Sequence, residues 1–274
     1  MTDAWKRPDG HPLTVERAKE LLAGDLGNEY RAILSRCCAP IYWHQRKDGA
    51  AQILNSGTMT FLQTPKRLVG VTAAHVVLGY QQEHANAASP LHLQIMNAFL
   101  NLEVIGLSKA LDIATVAMDD TTLGRIGKEI VPLSTWPPQP PQEGRGIMLA
   151  GYPGVDRLQP GSMEVNWGLF TALGIARRVI GEQITWVPER QHDGVITDLP
   201  PKHRLGGISG GPLIGWFESA SHLVHYALSG VISQAHPELE NVIARRADFI
   251  QEDGTIAEPR HYRWREEDSA AGAG

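Results

Sequence analysis

Cysteine is almost missing from this sequence: Cys37 and Cys38 are the two present in 274 residues. Adjacent cysteines rarely bridge each other, and two thiols cannot staple a chain of this size. A disulfide framework is thereby excluded, and the simplest compartment is a reducing one, the cytoplasm. Long apolar runs are missing too, so no segment is expected to span a bilayer. Residues 1–31 are polar and mixed in charge and contain no apolar core of a secretory signal. Basic blocks and arms are absent; the formal net charge is −5 with both signs interspersed, which speaks against nucleic acid as a partner. The histidines are scattered and both cysteines stand together without ligand spacing, so no metal site is expected.

Glycine and proline, by contrast, are plentiful, with 28 and 18 residues, as suits many short strands joined by turns. The length allows one large domain or two small subdomains. Strand signals crowd at 40–44, 51–55, 58–64, 67–74, 91–96, 102–107 and 114–118. Trp136-Pro137-Pro138-Gln139-Pro140-Pro141-Gln142 is a stiff, extended stretch with few backbone donors and reads as a strap between two units; a proline-rich recognition motif is the alternative. Strand signals resume with 146–154, a strand running into a turn, and continue at 168–175, 183–187, 211–215, 223–229 and 230–233. The stretch 241–250 reads equally as a last strand or a terminal helix, and Asp253-Gly254 can turn a hairpin. At the other end, Thr14 can cap a helix over 15–22 that ends at Gly24, and Tyr30, Ile33 and Leu34 have helical spacing within 28–36. This arm reads as a cover packed on one barrel, with partner docking as the alternative.

Three local patterns carry chemistry. In Gly206-Gly207-Ile208-Ser209-Gly210-Gly211-Pro212-Leu213, a serine sits at the centre of a glycine-rich turn. Glycines permit positive φ and close approach of a substrate, and such a turn gathers backbone N–H groups into an anion-binding nest. Ser209 can therefore attack a carbonyl while the amides of Gly207 and Ser209 receive the developing oxyanion. Serine needs a base near neutral pH, and imidazole suits that pH. His75 follows the apolar, β-branched run Leu68–Ala74, which reads as a strand delivering it. Asp112 lies in Ala110-Leu111-Asp112-Ile113-Ala114-Thr115-Val116, where an unpartnered carboxylate would be costly. Orienting an imidazolium gives it a partner. Asp119 and Asp120 compete for this role but lack the apolar frame. The chain order His, Asp, Ser is that of chymotrypsin-type triads.

The Thr72-Ala73-Ala74-His75, Asp112-Ile113-Ala114 and Gly207-Ile208-Ser209-Gly210-Gly211-Pro212 boxes together resemble the trypsin-like (chymotrypsin-fold) serine peptidases over residues 39–250. The resemblance implies an all-β fold of two six-stranded antiparallel Greek-key barrels with the catalytic site between them, plus the short helical N-terminal arm. It divides the chain into the arm (1–38), a first barrel with His75 and Asp112 (39–135), the strap (136–145), a second barrel with Ser209 (146–260) and a flexible tail (261–274). Gly230-Val231-Ile232-Ser233-Gln234-Ala235 resembles the strand that follows the nucleophile. By that likeness Ser233 supports the aspartate, while Gln234 and Ala235 line the cleft and hold the substrate backbone by strand addition. His203 falls where the family places a residue at the base of the specificity pocket. With Lys202 and Arg204 beside it, it suggests an acidic substrate side chain; a surface loop residue is the alternative. His222 and His225 read as loop positions, with an approach to the pocket as the alternative. Digestive members have an aspartate where this chain has Ile208, which cannot accept the ion pair that activates them. The closer resemblance is to disulfide-free bacterial members of the HtrA and glutamyl-endopeptidase branches, without the PDZ-like extension of HtrA.

The function implied is a serine endopeptidase acting on protein or peptide substrates, with no cofactor. The alternative is a latent or pseudoprotease that binds peptides, or is switched on by an activating protein partner in a bacterial stress or defence pathway. An α/β-hydrolase also has a Gly-x-Ser-x-Gly turn. That fold requires a parallel sheet with the acid and histidine after the serine; here 65 residues follow Ser209 and the helical crossovers are missing.

Overall fold

β-branched and aromatic runs bounded by glycine, proline and short polar turns favour a pleated, half-buried surface, and here they sort into two antiparallel sheets. The structure is a computed structural model that describes residues 20, 23–47, 49–161, 164–187, 204–219, 221–236 and 241–259. The fold is the all-β, two-barrel one expected. The first sheet comprises β1 (Cys38–Lys47), β2 (Ala50–Gln63), β3 (Leu68–Thr72), β4 (His92–Ile95), β5 (Ala98–Phe99), β6 (Val104–Ser108) and β7 (Ile113–Ala117), in the order β5-β4-β1-β2-β3-β7-β6. The second comprises β8 (Gly146–Gly151), β11 (Phe170–Ile175), β12 (Arg178–Ile180), β13 (Gln183–Trp186), β14 (Pro212–Glu218), β15 (Val224–His236) and β16 (Asn241–Arg246), in the order β11-β8-β14-β15-β16-β13-β12. The short β9 (Arg157–Leu158) and β10 (Asn166–Trp167) pair with each other. Among the described residues each sheet counts seven strands where six were expected, because the short edge strands β5 and β12 extend them.

Two pairs of expected strands are continuous. Ser56-Gly57 reads as a turn between 51–55 and 58–64, yet the ladder with β1 runs through it, Ser56 opposite Tyr42 and Gly57 opposite Ile41. The glycine answers a packing demand instead: a Cβ at Gly57 would lie 2.7 and 2.8 Å from the two methyls of Val76. The 223–229 and 230–233 segments likewise join as β15. Both long strands absorb irregularity as bulges rather than breaks. Asn241–Arg246 resolves as a strand followed by a 3₁₀ turn, Ala247–Phe249. Past it, Gly254 with φ +85° turns the chain so that Ile250 bridges Ile256.

Helices are few but consequential. α1 (Asp25–Arg36) covers the helix expected at 28–36, whereas the one expected at 15–22 lies, apart from Glu20, outside the described residues. α2 (Ala74–Asn86) was not foreseen; Val76-Val77 give its first turn a strand-like look and Ala73 offers no capping side chain. α3 (Asp120–Arg125) is capped by Asp119, whose carboxylate accepts from Thr122 N at 2.6 Å. That accounts for Asp119 without any part in a triad.

Each sheet has its own apolar core. Met59, Phe61, Val76 and Ile95 lie in the first, and Leu149, Ile184, Ile208 and Ile232 in the second. A third cluster joins the sheets: Leu62, Val69 and Ile113 from one meet Met148, Ile214 and Val231 from the other, under Ile33 and Leu34 of α1. The connection between the halves is stitched to both, Val131 N donating to Phe61 O at 2.7 Å and Leu228 N to Pro132 O at 2.8 Å. Among the described residues, no helix is long and apolar enough to cross a membrane.

Candidate active site

His75, Asp112 and Ser209 come from three separate segments, and the structure brings His75 and Asp112 into direct contact. β3 ends at Thr72, and the chain turns at Ala73 into α2, so His75 stands on the first turn of a helix rather than at a strand end. Its ring is exposed, with Nδ1 2.9 Å from Oδ2 and 3.0 Å from Oδ1 of Asp112. The backbone N–H of His75 also donates to Asp112 Oδ1 at 3.0 Å. The carboxylate thus supplies the negative charge that a helix N-terminus favours and that Ala73 cannot provide.

Asp112 sits in the tight β6–β7 connection with φ 53°, a left-handed conformation that aspartate tolerates better than most residues. Leu111 and Ile113 on either side are fully buried, which anchors the turn and faces the carboxylate toward His75. Ser233 Oγ donates to Asp112 Oδ2 at 2.6 Å. The reason lies in the ladder: Ile232 pairs with Ala244 and Gln234 with the next residue, Ile243, so Ser233 is the extra residue of a bulge. A bulge re-aims one side chain, here onto the carboxylate of the other sheet. Burial pushes the Asp112 carboxyl up, but hydrogen bonds from the His75 ring, the Ser233 hydroxyl and the His75 amide outweigh it, and the group is held below its usual value.

The Ser209 turn shows a nearly complete use of its backbone groups. Gly206 O accepts from Gly154 N at 2.7 Å, Gly207 O from Thr58 Oγ1 at 2.9 Å, Ile208 O from Gly211 N at 2.9 Å, Ser209 O from Thr58 N at 2.8 Å and Gly210 O from Thr60 Oγ1 at 2.9 Å. Ile208 N donates to Leu205 O at 3.2 Å and Gly210 N to Ile232 O at 2.7 Å. Within 207–211 the amides left without an acceptor among the described residues are those of Gly207 and Ser209, the pair expected to bind an oxyanion. Both residues are half-buried, and two unengaged amides at one turn form a face that can accept an anion. Glycine is obligatory at Gly210: with φ +93°, a Cβ there would collide with Thr58 O and the Thr72 hydroxyl. Ile208 is fully buried, and a Cβ on the facing Gly151 would lie 2.5 Å from its own, so this position is a core anchor.

Ser209 Oγ donates to the carbonyl of Ser233 at 3.0 Å, and no hydrogen bond joins it to the His75 ring. Gln234 and Ala235 lie next along β15, Gln234 exposed and Ala235 half-buried, paired with Ile243 and Val242. His203 and Lys202 lie outside the described residues, and Arg204 is exposed. Among the described residues no group of three or more histidine, cysteine or acidic side chains is placed to hold a metal ion. The residues that sequence reasoning missed are Thr58, Thr60 and Gly154. The signal was present in Thr58-Met59-Thr60: hydroxyls two apart on a strand share a face, and both are fully buried, so each must find a partner.

No protein-family model matches this chain, and no curated protein does. Among solved structures, the chain is similar to the active form of the Rv3671c protease from M. tuberculosis, at 17% identity and a TM-score of 0.46, covering 81% of this chain and 80% of that one. It is also similar to a chain from a study of the coupled folding and binding of the disordered Sesbania mosaic virus VPg protein. There the identity is 14% and the TM-score 0.40, covering 77% of this chain and 87% of that one. At these scores neither likeness bears on activity.

Proposed function

We propose that this protein is a serine endopeptidase that works through His75, Asp112 and Ser209. The observation that carries the reading is the Asp112 carboxylate, gripped by Ser233 Oγ and bonded to His75 Nδ1. An imidazole whose Nδ1–H donates to a carboxylate carries its lone pair on Nε2, the tautomer a general base needs. Ser209 Oγ bonds to the substrate carbonyl carbon as its proton passes to His75 Nε2, and the amides of Gly207 and Ser209 receive the oxyanion. Collapse of the adduct breaks the C–N bond, and His75 returns the proton to the leaving amine. Water then attacks the acyl-enzyme, giving a proton to His75; the bond from the carbonyl carbon to Ser209 Oγ breaks, the acid leaves, and His75 returns the proton to Oγ. Rotation of Ser209 away from Ser233 O precedes attack and exchanges hydrogen bonds of about 1 kcal/mol net value. The substrate backbone is held by strand addition beside Gln234 and Ala235, and His203 sets the preference for an acidic side chain. The barrels divide at 136–145, the cleft running between them.

A second reading, a latent enzyme that a partner activates, is favoured by the Ser209–Ser233 hydrogen bond, which turns the hydroxyl off His75. Labelling with a fluorophosphonate, alongside Ser209→Ala and His75→Ala, decides between them. Labelling of the unsubstituted protein alone is the expected result. Equal labelling of Ser209→Ala overturns the assignment, and an inert but folded protein selects the latent reading.

A further inference from the structure

We propose that Thr58 is a positioning residue that sets the orientation of the oxyanion-binding amides through its side-chain hydroxyl. The inference rests on the peptidase reading above. Thr58 lies on β2, in the opposite half of the molecule from the Ser209 turn, and is fully buried. Its Oγ1 donates to Gly207 O at 2.9 Å and accepts from Tyr152 N at 2.9 Å, so one hydroxyl bridges two loops of the second half. Its backbone N–H donates to Ser209 O at 2.8 Å, and its own carbonyl accepts from Thr72 Oγ1 at 2.7 Å, three residues before His75.

The consequence for the turn follows from peptide planarity. In a trans peptide the C=O and N–H point in opposite directions, so fixing one carbonyl fixes the next amide. Gly154 N holds Gly206 O at 2.7 Å, which aims the Gly207 N–H the other way. Thr58 N holds Ser209 O, and Thr58 Oγ1 holds Gly207 O, the peptide between the two unengaged amides. Gly207, at φ +105°, has no side chain to restrict its rotation. Without the hydroxyl, the carbonyl of Gly207 has no protein donor within the described residues, and the plane of that peptide is left to the single 3.2 Å bond from Ile208 N to Leu205 O. The second acceptor role matters equally. Tyr152 leads through Pro153 to Gly154, so the same oxygen also fixes the segment whose amide holds Gly206 O. Both peptides flanking Gly207 thus depend on one oxygen atom. A buried valine has nearly the same shape and none of these bonds.

The test compares Thr58→Val, which keeps the shape, with Thr58→Ser, which keeps the hydroxyl, each checked for folding by its thermal transition. Misplacing a transition-state donor typically reduces rate by about 10²-fold. The fluorophosphonate labelling rate and kcat on a cleaved peptide are therefore expected to fall about 10–100-fold in Thr58→Val, with KM little changed. Affinity for a peptide boronic acid, which forms the tetrahedral adduct, falls in step, whereas affinity for a cleaved product peptide does not. Thr58→Ser recovers most of the loss. Folded Thr58→Val with a rate within about threefold of the parent overturns the proposal, as does a Thr58→Ser protein equally impaired. Amide hydrogen exchange separates this failure from failure of the peptidase reading. If the parent protein is inert toward every probe, faster exchange at Tyr152 and Ile208 in Thr58→Val but not Thr58→Ser still supports the positioning role. Unchanged exchange there overturns it.

Discussion

The two halves of the molecule hold their parts of the candidate site by different means. The first presents His75 and Asp112 on side chains, fixed by hydrogen bonds into one carboxylate from a ring, an amide and the Ser233 hydroxyl. The second presents Ser209 and two amides on a turn fixed by its backbone, with donors from Thr58, Thr60 and Gly154. Each half borrows from the other: Ser233 of the second sheet fixes the acid of the first, and Thr58 and Thr60 of the first fix the turn of the second. A site divided this way is sensitive to chemistry on one side and to steric form on the other.

The largest expected effect lies on the side-chain half. Asp112→Asn keeps the shape but leaves His75 Nδ1 facing an amide, and peptidase activity is expected to fall by about 10⁴-fold with the fold intact. Near-normal turnover would break the comparison, because the first half would then owe nothing to charge. The same substitution reports on pH. The Asp112 carboxyl is held below its ordinary 3.8 in the folded protein, so its contribution to stability is present above that value and is lost as pH falls through the lower folded one. The stability gap between the parent and Asp112→Asn, measured by urea unfolding, should therefore narrow below about pH 4.

Next in size is Gly210→Ala on the backbone half. The added methyl meets Thr58 O and Thr72 Oγ1 at a residue with φ +93°. Overpacking and strain together should destabilise the protein by about 4 kcal/mol, read from denaturant unfolding. A change under about 1 kcal/mol would mean that the turn relaxes and is not held sterically. Smallest is Leu34→Ala in α1, which opens the cluster shared by both halves and should remove about 3 kcal/mol. Loss of stability with kcat unchanged would sharpen the division, assigning the arm to cohesion of the halves and not to the site.

How far the sequence was legible depends on how local the signal was. The Ser209 turn, Asp112 and His75 were legible because glycine, a carboxylate in an apolar run and imidazole each announce a local demand. The Ser233–Asp112 bond was reached through resemblance, and its cause, the bulge, came only with the register of β15 on β16. Helix α2 was hidden because β-branched residues lower helix propensity and because its N-terminus is served by Asp112, 37 positions away. The continuity of β2 was hidden because Gly57 mimics a turn while accommodating Val76.

The sequence by itself determined the strand-rich character of the chain, the glycine turn around Ser209 and the identity of the groups proposed here as base, acid and nucleophile. Those follow from local sterics and from side-chain chemistry, which do not depend on what packs nearby. Tertiary structure alone decided that Thr58 and Thr60 reach across to the Ser209 turn and that Ser233 rather than its neighbours meets Asp112. It also decided that two amides remain without acceptors among the described residues. These are outcomes of ladder register and of hydrogen-bond pairing between distant segments, where a shift of one residue would turn each side chain to the opposite face.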